Sequence, residues 1–183
     1  CRYAPLVAAQ GATVLMEVPS SLKSLLATLK GVSQIVAIGE SLPEFDFHCP
    51  LLSLPLAFRT NLESIPADIP YLRPETVAVT AWEERLSGFD GLRIGLVWAG
   101  SPRKEQRNAN AIDRLRSIPL AAFEPLGTIK GMRFYSIQKG PPAKELPELK
   151  AKGWLGPAVM DFTDDLEDFS DTAAFTACMD LVI

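Results

Sequence analysis

Between Leu92 and Pro119 the chain sets an apolar run, Ile94-Gly95-Leu96-Val97-Trp98-Ala99, against a Gly100-Ser101-Pro102 break, a basic polar stretch and Arg116-Ser117-Ile118-Pro119. The pattern predicts a buried strand over Leu92 to Ala99, a loop over 100–117 and a helix from Pro119 to Leu126. A strand that ends in a Gly-containing loop and returns through a helix is how an open α/β sheet builds a phosphate or nucleotide site at its carboxyl edge. This stretch thus narrows the fold class to α/β.

The rest of the chain repeats the alternation. Tyr3 to Gln10 reads as a helix stopped at Gly11, Ala12 to Val18 as a strand, and Ser20 to Leu29 as an amphipathic helix with Leu22, Leu25, Leu26 and Leu29 on one face. Gln34 to Ile38 and Phe45 to Cys49 follow as strands. Such spacing implies parallel neighbours, because parallel strands cannot be joined by tight hairpins. Five prolines between Pro50 and Pro74 rule out one continuous helix or strand there, so 50–74 reads as an irregular connector. A helix from Pro74 or Glu75 to Leu86 comes next, ended by Ser87-Gly88-Phe89-Asp90-Gly91. Beyond Leu126 the pattern gives a strand over Met132 to Gln138, a Pro-interrupted helix over Lys144 to Ala151 and an acidic connector from Asp161 to Asp168. Asp171 reads as the cap of a last helix, Thr172 to Cys178, that feeds a strand from Leu181 to Ile183. The expected organisation is α/β, with two Rossmann-like parallel-sheet halves, both incomplete: 1–74, a linking helix and turn over 75–91, and 92–183.

With 183 residues, 48% apolar and 22% charged, the composition is that of a globular protein with room for one good core or two small ones. No apolar run approaches the roughly 20 residues of a membrane helix, and no signal segment opens the chain, so a cytoplasmic setting is expected. Net charge −4 argues against general nucleic-acid binding, although the local excess of Arg and Lys between Arg103 and Arg116 suits an anion. Cys1, Cys49 and Cys178 are too few and too widely spaced for a disulfide framework or a zinc site; they read as reduced, with at least two buried. Both ends fall inside expected elements, so the chain reads as an excerpt of a longer protein.

Candidate site residues gather after the buried strands. Gly100 and Ser101 follow the longest one, and Arg103, Lys104, Arg107, Arg114 and Arg116 come soon after. Backbone N–H groups and one or two cations complement a pyrophosphate; a solvated loop with Glu105 and Asp113 interleaved is the competing reading. Lys139, in Gln138-Lys139-Gly140, leaves a parallel sheet at the same edge as Ser101, or is simply exposed. His48, the single histidine, has the chemistry of a general base or of a donor to sugar or phosphate; the alternative is a strand-end histidine bonded to backbone. Cys49 reads as core rather than as a nucleophile. The acids from Asp161 to Asp171 lack calcium-loop spacing and are accounted for by a capped helix start, so no metal is expected.

Six segments in order carry a resemblance: Arg2-Tyr3-Ala4-Pro5-Leu6, His48 to Pro55, Ile94 to Pro102, Arg116 to Leu120, Ser136 to Gly140 and Asp180 to Ile183. Together they resemble the glycosyltransferase region of bacterial tetratricopeptide-repeat proteins. That region is similar to the heptosyltransferases of glycosyltransferase family 9, and more remotely to O-linked N-acetylglucosamine transferases.

The resemblance implies a GT-B fold, with the nucleotide-sugar donor bound mainly by the C-terminal half and a protein or glycan acceptor by the N-terminal half. It puts Gly100, Ser101 and Arg116 at the donor diphosphate, Lys139 near the nucleotide and His48 on the acceptor side as the candidate catalytic residue. Inverting, metal-independent transfer is implied, with no cofactor beyond the donor substrate, and with tetratricopeptide repeats upstream in the full-length protein. Relatives carry a Gly-rich acidic loop before the position of Arg2 and a donor-gripping loop after the last strand. Both lie outside this chain, which implies a weak or inactive catalyst by itself. Two other readings stay open: a non-catalytic Rossmann-like binding or scaffold module, and a two-domain periplasmic-type ligand binder, against which the lack of a signal segment argues.

Overall fold

A computed structural model describes every residue except Arg103 and Lys104, and for Arg107 and Ala109 it describes the backbone alone. The chain is α/β and divides into two compact units, Cys1–Glu75 with Asp168–Ala173, and Thr76–Glu167 with Ala174–Ile183.

The first unit holds α1 (Ala4–Ala9), β1 (Leu15–Val18), α2 (Lys23–Leu26), β2 (Gln34–Ala37) and α3 (Leu54–Ala57). β1 and β2 pair in parallel, from Leu15 against Gln34 to Val18 against Ala37. The amphipathic stretch expected over Ser20 to Leu29 is a 3-10 turn (Ser20–Leu22) followed by α2. Its leucines do what their spacing demanded: Leu26 and Leu29 join Ala4 and Val18 in the core, with Leu22 packed beside them. Burying a side chain of this size contributes about 1.5–3 kcal/mol. Tyr3 ties the unit together by donating from Oη to Thr60 Oγ1 at 2.9 Å, and Arg2 lies over the Tyr71 ring while donating to Pro66 O.

The strand expected over Phe45 to Cys49 does not form. The segment is irregular and exposed, with Phe47 94% accessible. Its apolar alternation finds no neighbouring strand to pair with, and Pro43 and Pro50 bracket it. Cys49 is accordingly exposed rather than core; Cys178 is buried, and Cys1 lies in between.

The second unit contains α4 (Thr76–Arg85), β3 (Leu92–Leu96), α5 (Arg107–Arg116), β4 (Met132–Ser136), α6 (Glu145–Ala151), β5 (Val159–Asp161), α7 (Phe169–Ala177, with its last turn in this unit) and β6 (Leu181–Val182). Its sheet runs β5-β4-β3-β6 with every pair parallel. The chain starts in the interior at β3, steps outward through β4 to β5, and returns to the other side of β3. That is the order of a Rossmann-like half-sheet.

Both faces are covered. Trp82 and Leu86 from the α4 segment pack with Tyr135, Ile137 and Phe175 on one face. Ile94, Leu96, Leu120, Phe134 and Leu146 fill the other. A sheet buried on both sides reads in sequence as a continuous apolar run, and β3 does from Ile94 onward.

Four local expectations change. The loop expected over 100–117 contains α5, so Arg116 closes a helix rather than lying in a loop. The stretch after Pro119 is a 3-10 helix (Leu120–Thr128), with Pro125 denying it a regular α-ladder. The acidic connector is preceded and entered by β5, which the sequence reading missed. The last helix is capped by Asp168, not Asp171: Asp168 Oδ1 accepts from the N–H groups of Ser170 and Asp171, while Asp171 Oδ2 accepts from Asp168 N–H. This reciprocal arrangement is a capping box. Among the described residues no helix is long and apolar enough to cross a membrane.

Candidate functional site

The turning point of the strand order lies between β3 and β6. In open α/β sheets the chain leaves neighbouring strands in opposite directions at such a point, and opens a crevice at their carboxyl ends. Here the chain leaving β3 runs through Val97, whose N–H donates to Ile183 O at 2.8 Å, to Gly100 and Ser101. Because β3 and β4 are parallel, Ser101 and Lys139 leave the sheet at the same edge.

Gln138 shapes this edge, and sequence reasoning gave it no role. It is buried, and its Oε1 accepts from the N–H groups of Trp98 and Ala99 at 3.0 and 2.8 Å. Its Nε2 donates to Ala99 O and Lys139 O, both at 2.9 Å. One amide thus extends the ladder past the last backbone pair and fixes the start of the loop that carries Gly100 and Ser101. The available signal was a polar residue ending an apolar strand, Tyr135-Ser136-Ile137-Gln138.

The return of the chain completes the edge. Ser117 Oγ accepts from Gly100 N–H at 3.1 Å, and Ile118 N–H donates to Trp98 O at 2.9 Å. Arg116, at the end of α5, donates through Nε and Nη2 to Asp113 Oδ1, at 3.3 and 3.1 Å. The two partners differ in exposure: the Arg116 side chain is 62% accessible, that of Asp113 only 7%. Gly100 lies against this pair. A Cβ there would meet Asp113 Oδ1 and come within 2.6 Å of Arg116 Nη2, so a larger residue would displace the ends of these two side chains.

Lys139 is engaged elsewhere. Its Nζ donates to Thr163 O at 2.8 Å and to Leu166 O at 2.7 Å, clipping the end of β4 to the turn after β5. Ser101 is exposed. Arg103 and Lys104, which belong to the basic stretch, lie outside the described residues, as does the Arg107 side chain. Beneath the edge, Trp98 Nε1 and Ser136 Oγ are buried with no hydrogen-bond partner among the described residues.

His48 belongs to the exposed irregular segment of the first unit, outside any helix or strand. The same segment leads into a shallow, mainly apolar recess whose lining includes Tyr3, Pro55, Thr60, Asn61 and Leu62. Among the described residues no three His, Cys, Asp or Glu side chains are grouped to hold a metal ion.

The chain is similar to Protein FlbA of Caulobacter vibrioides. The two are 27% identical over 149 residues, which cover 79% of this chain and 23% of FlbA, so this chain matches under a quarter of that protein's length. No protein-family model matches the chain, and no solved structure does.

Proposed function

We propose that the second unit is the donor half of a GT-B glycosyltransferase and binds the diphosphate of a nucleotide-sugar at the carboxyl ends of β3 and β6. The observation that carries this reading is the strand order β5-β4-β3-β6, with its turning point beside Gly100, Ser101 and Arg116. Inverting transfer at an anomeric carbon leaves a nucleoside diphosphate whose negative charge grows as the bond to the sugar breaks. A held guanidinium and backbone N–H groups at the sheet edge offset that charge without a metal. In this reading Arg116 supplies the cation and the Ser101 segment the close backbone. Lys139 acts indirectly, by holding the β4 end in place. His48 is the candidate proton acceptor on the acceptor side, with a protein or glycan hydroxyl as nucleophile.

Calorimetry with UDP, ADP and GDP tests this reading. At least one is expected to bind, and Arg116→Ala to weaken that binding about ten-fold or more. No binding of any of the three would refute it.

One observation favours a second reading, a binding or scaffold module without turnover. Both cations that the resemblance assigns to the donor are already paired within the protein, Arg116 with Asp113 and Lys139 with two carbonyls. Sugar transfer that is lost on His48→Ala would eliminate it.

A further inference from the structure

We propose that Asp113 is the positioning residue of this anion site: it aims the Arg116 guanidinium across the end of β3, so that the outward N–H groups meet a phosphate-class anion above Gly100 and Ser101. The inference rests on the donor-diphosphate reading and assigns a role to a residue that reading leaves out.

Three observations lead to it. Asp113 is an almost fully buried carboxylate in the last turns of α5, where the carbonyl ends of the helix disfavour negative charge. A buried charge in such a place needs compensation, and among the described residues the cation it accepts from is Arg116. Arg116, in contrast, is largely exposed, and an exposed arginine left to itself samples many rotamers. Two donated bonds to one fixed oxygen remove that freedom and orient the planar fork. Finally, the ends of both side chains lie against Gly100, at the start of the loop after β3.

The arrangement makes a chemical distinction. If Arg116 served only as a point charge, any cation at the position would do, and the carboxylate would weaken anion binding by repulsion. If orientation matters, removing the carboxylate weakens binding although it removes a negative charge from the neighbourhood. The sign of the effect decides between them.

The probe is inorganic pyrophosphate, titrated calorimetrically into the intact chain and into Asp113→Asn, Arg116→Ala, Arg116→Lys and the Asp113→Asn/Arg116→Ala double variant. Asp113→Asn is expected to weaken binding on the order of ten-fold, as loss of an outer partner does for other oriented ligand groups, and to have no further effect once Arg116 is alanine. Arg116→Lys, which keeps a cation beside the buried Asp113 carboxylate, is expected to bind as poorly as Arg116→Ala. Tighter binding by Asp113→Asn would overturn the proposal. So would wild-type affinity in Asp113→Asn or Arg116→Lys, or an equal loss from Asp113→Asn with and without Arg116. If Asp113→Asn does not fold, Arg116→Lys alone decides. Failure of the wild-type chain to bind pyrophosphate would instead remove the donor-diphosphate reading, and this proposal with it.

Discussion

Replacing Gln138 by alanine tests how the carboxyl edge of the larger sheet is held. The side chain makes four hydrogen bonds to main-chain groups of Trp98, Ala99 and Lys139. The two carbonyls, on Ala99 and Lys139, sit where water can replace the lost donor. The two N–H groups are less easily served, because Trp98 is buried and Ala99 half-buried. Leaving a buried donor unpaired costs about 1–3 kcal/mol, so Gln138→Ala is expected to destabilise the second unit by roughly 2–4 kcal/mol. Gln138→Glu sharpens the test. Its carboxylate still accepts from both N–H groups but faces two carbonyl oxygens it cannot donate to, so at pH 7 it should be at least as damaging as alanine. Below the carboxyl pKa, where one donor returns, part of the loss should be recovered. All three tryptophans, Trp82, Trp98 and Trp154, lie in the second unit, so their fluorescence in urea reports on it alone. With a slope of about 1–3 kcal/mol per molar, the midpoint should fall by on the order of 1 M, with the slope unchanged. A midpoint within about 0.3 M of wild type would mean that water substitutes for the amide, and would refute the claim that Gln138 fixes the loop after β3.

Lys139→Met removes two charge-assisted bonds to Thr163 O and Leu166 O at a residue that is itself exposed, and should cost about 1–2 kcal/mol in the same urea experiment. An unchanged midpoint would return Lys139 to the role of a free surface cation. In the first unit, Lys23 and then the Ala37 N–H hold the Glu40 carboxyl below its ordinary value. A depressed folded value means that its contribution is present above the unfolded pKa and disappears as pH falls through the folded one, so the loss lies below about pH 4.5. A carbon-13 titration of Glu40 should show the depressed value and its return toward normal in Lys23→Met. Thiol labelling should modify exposed Cys49 rapidly. Cys178 should react only on unfolding, since burial, with Glu83 adding to it, raises its thiol pKa, and the thiol bonds to Ala174 O. Fast labelling of Cys178 in the folded chain, identified by peptide mapping, would contradict the packing of α7.

What the sequence revealed and what it hid have separate physical causes. The parallel α/β character was legible because strands buried on both faces must be apolar throughout, and Ile94 to Ala99 is. α5 was not legible because the segment is so polar and basic that it reads as a charged loop, and its two large apolar side chains stay in solvent: Ile112 is 61% and Leu115 88% accessible. The error over Phe45 to Cys49 is the converse. Alternating apolar residues there suggested a strand, but alternation specifies a strand only where a neighbour exists to pair with. The site divides along the same line. Gly100, Ser101 and Lys139 could be assigned to one edge from chain order alone, because parallel strands send their carboxyl ends the same way. Gln138 could not, since its worth lies in the main chain of Trp98 and Ala99 on the neighbouring strand.

Asp113 and Arg116 show why spacing alone misleads at such an edge. In sequence they fall in a charged stretch that reads as a solvated loop, and an exposed ion pair of this spacing contributes little to stability. Two facts invisible in the sequence change that reading: Asp113 is buried while its partner is not, and Gly100, far upstream in the chain, leaves its Cβ space to the pair. The buried carboxylate holds an exposed guanidinium against Gly100 at the start of the loop after β3, and that contact joins the polar helix to the apolar strand it follows.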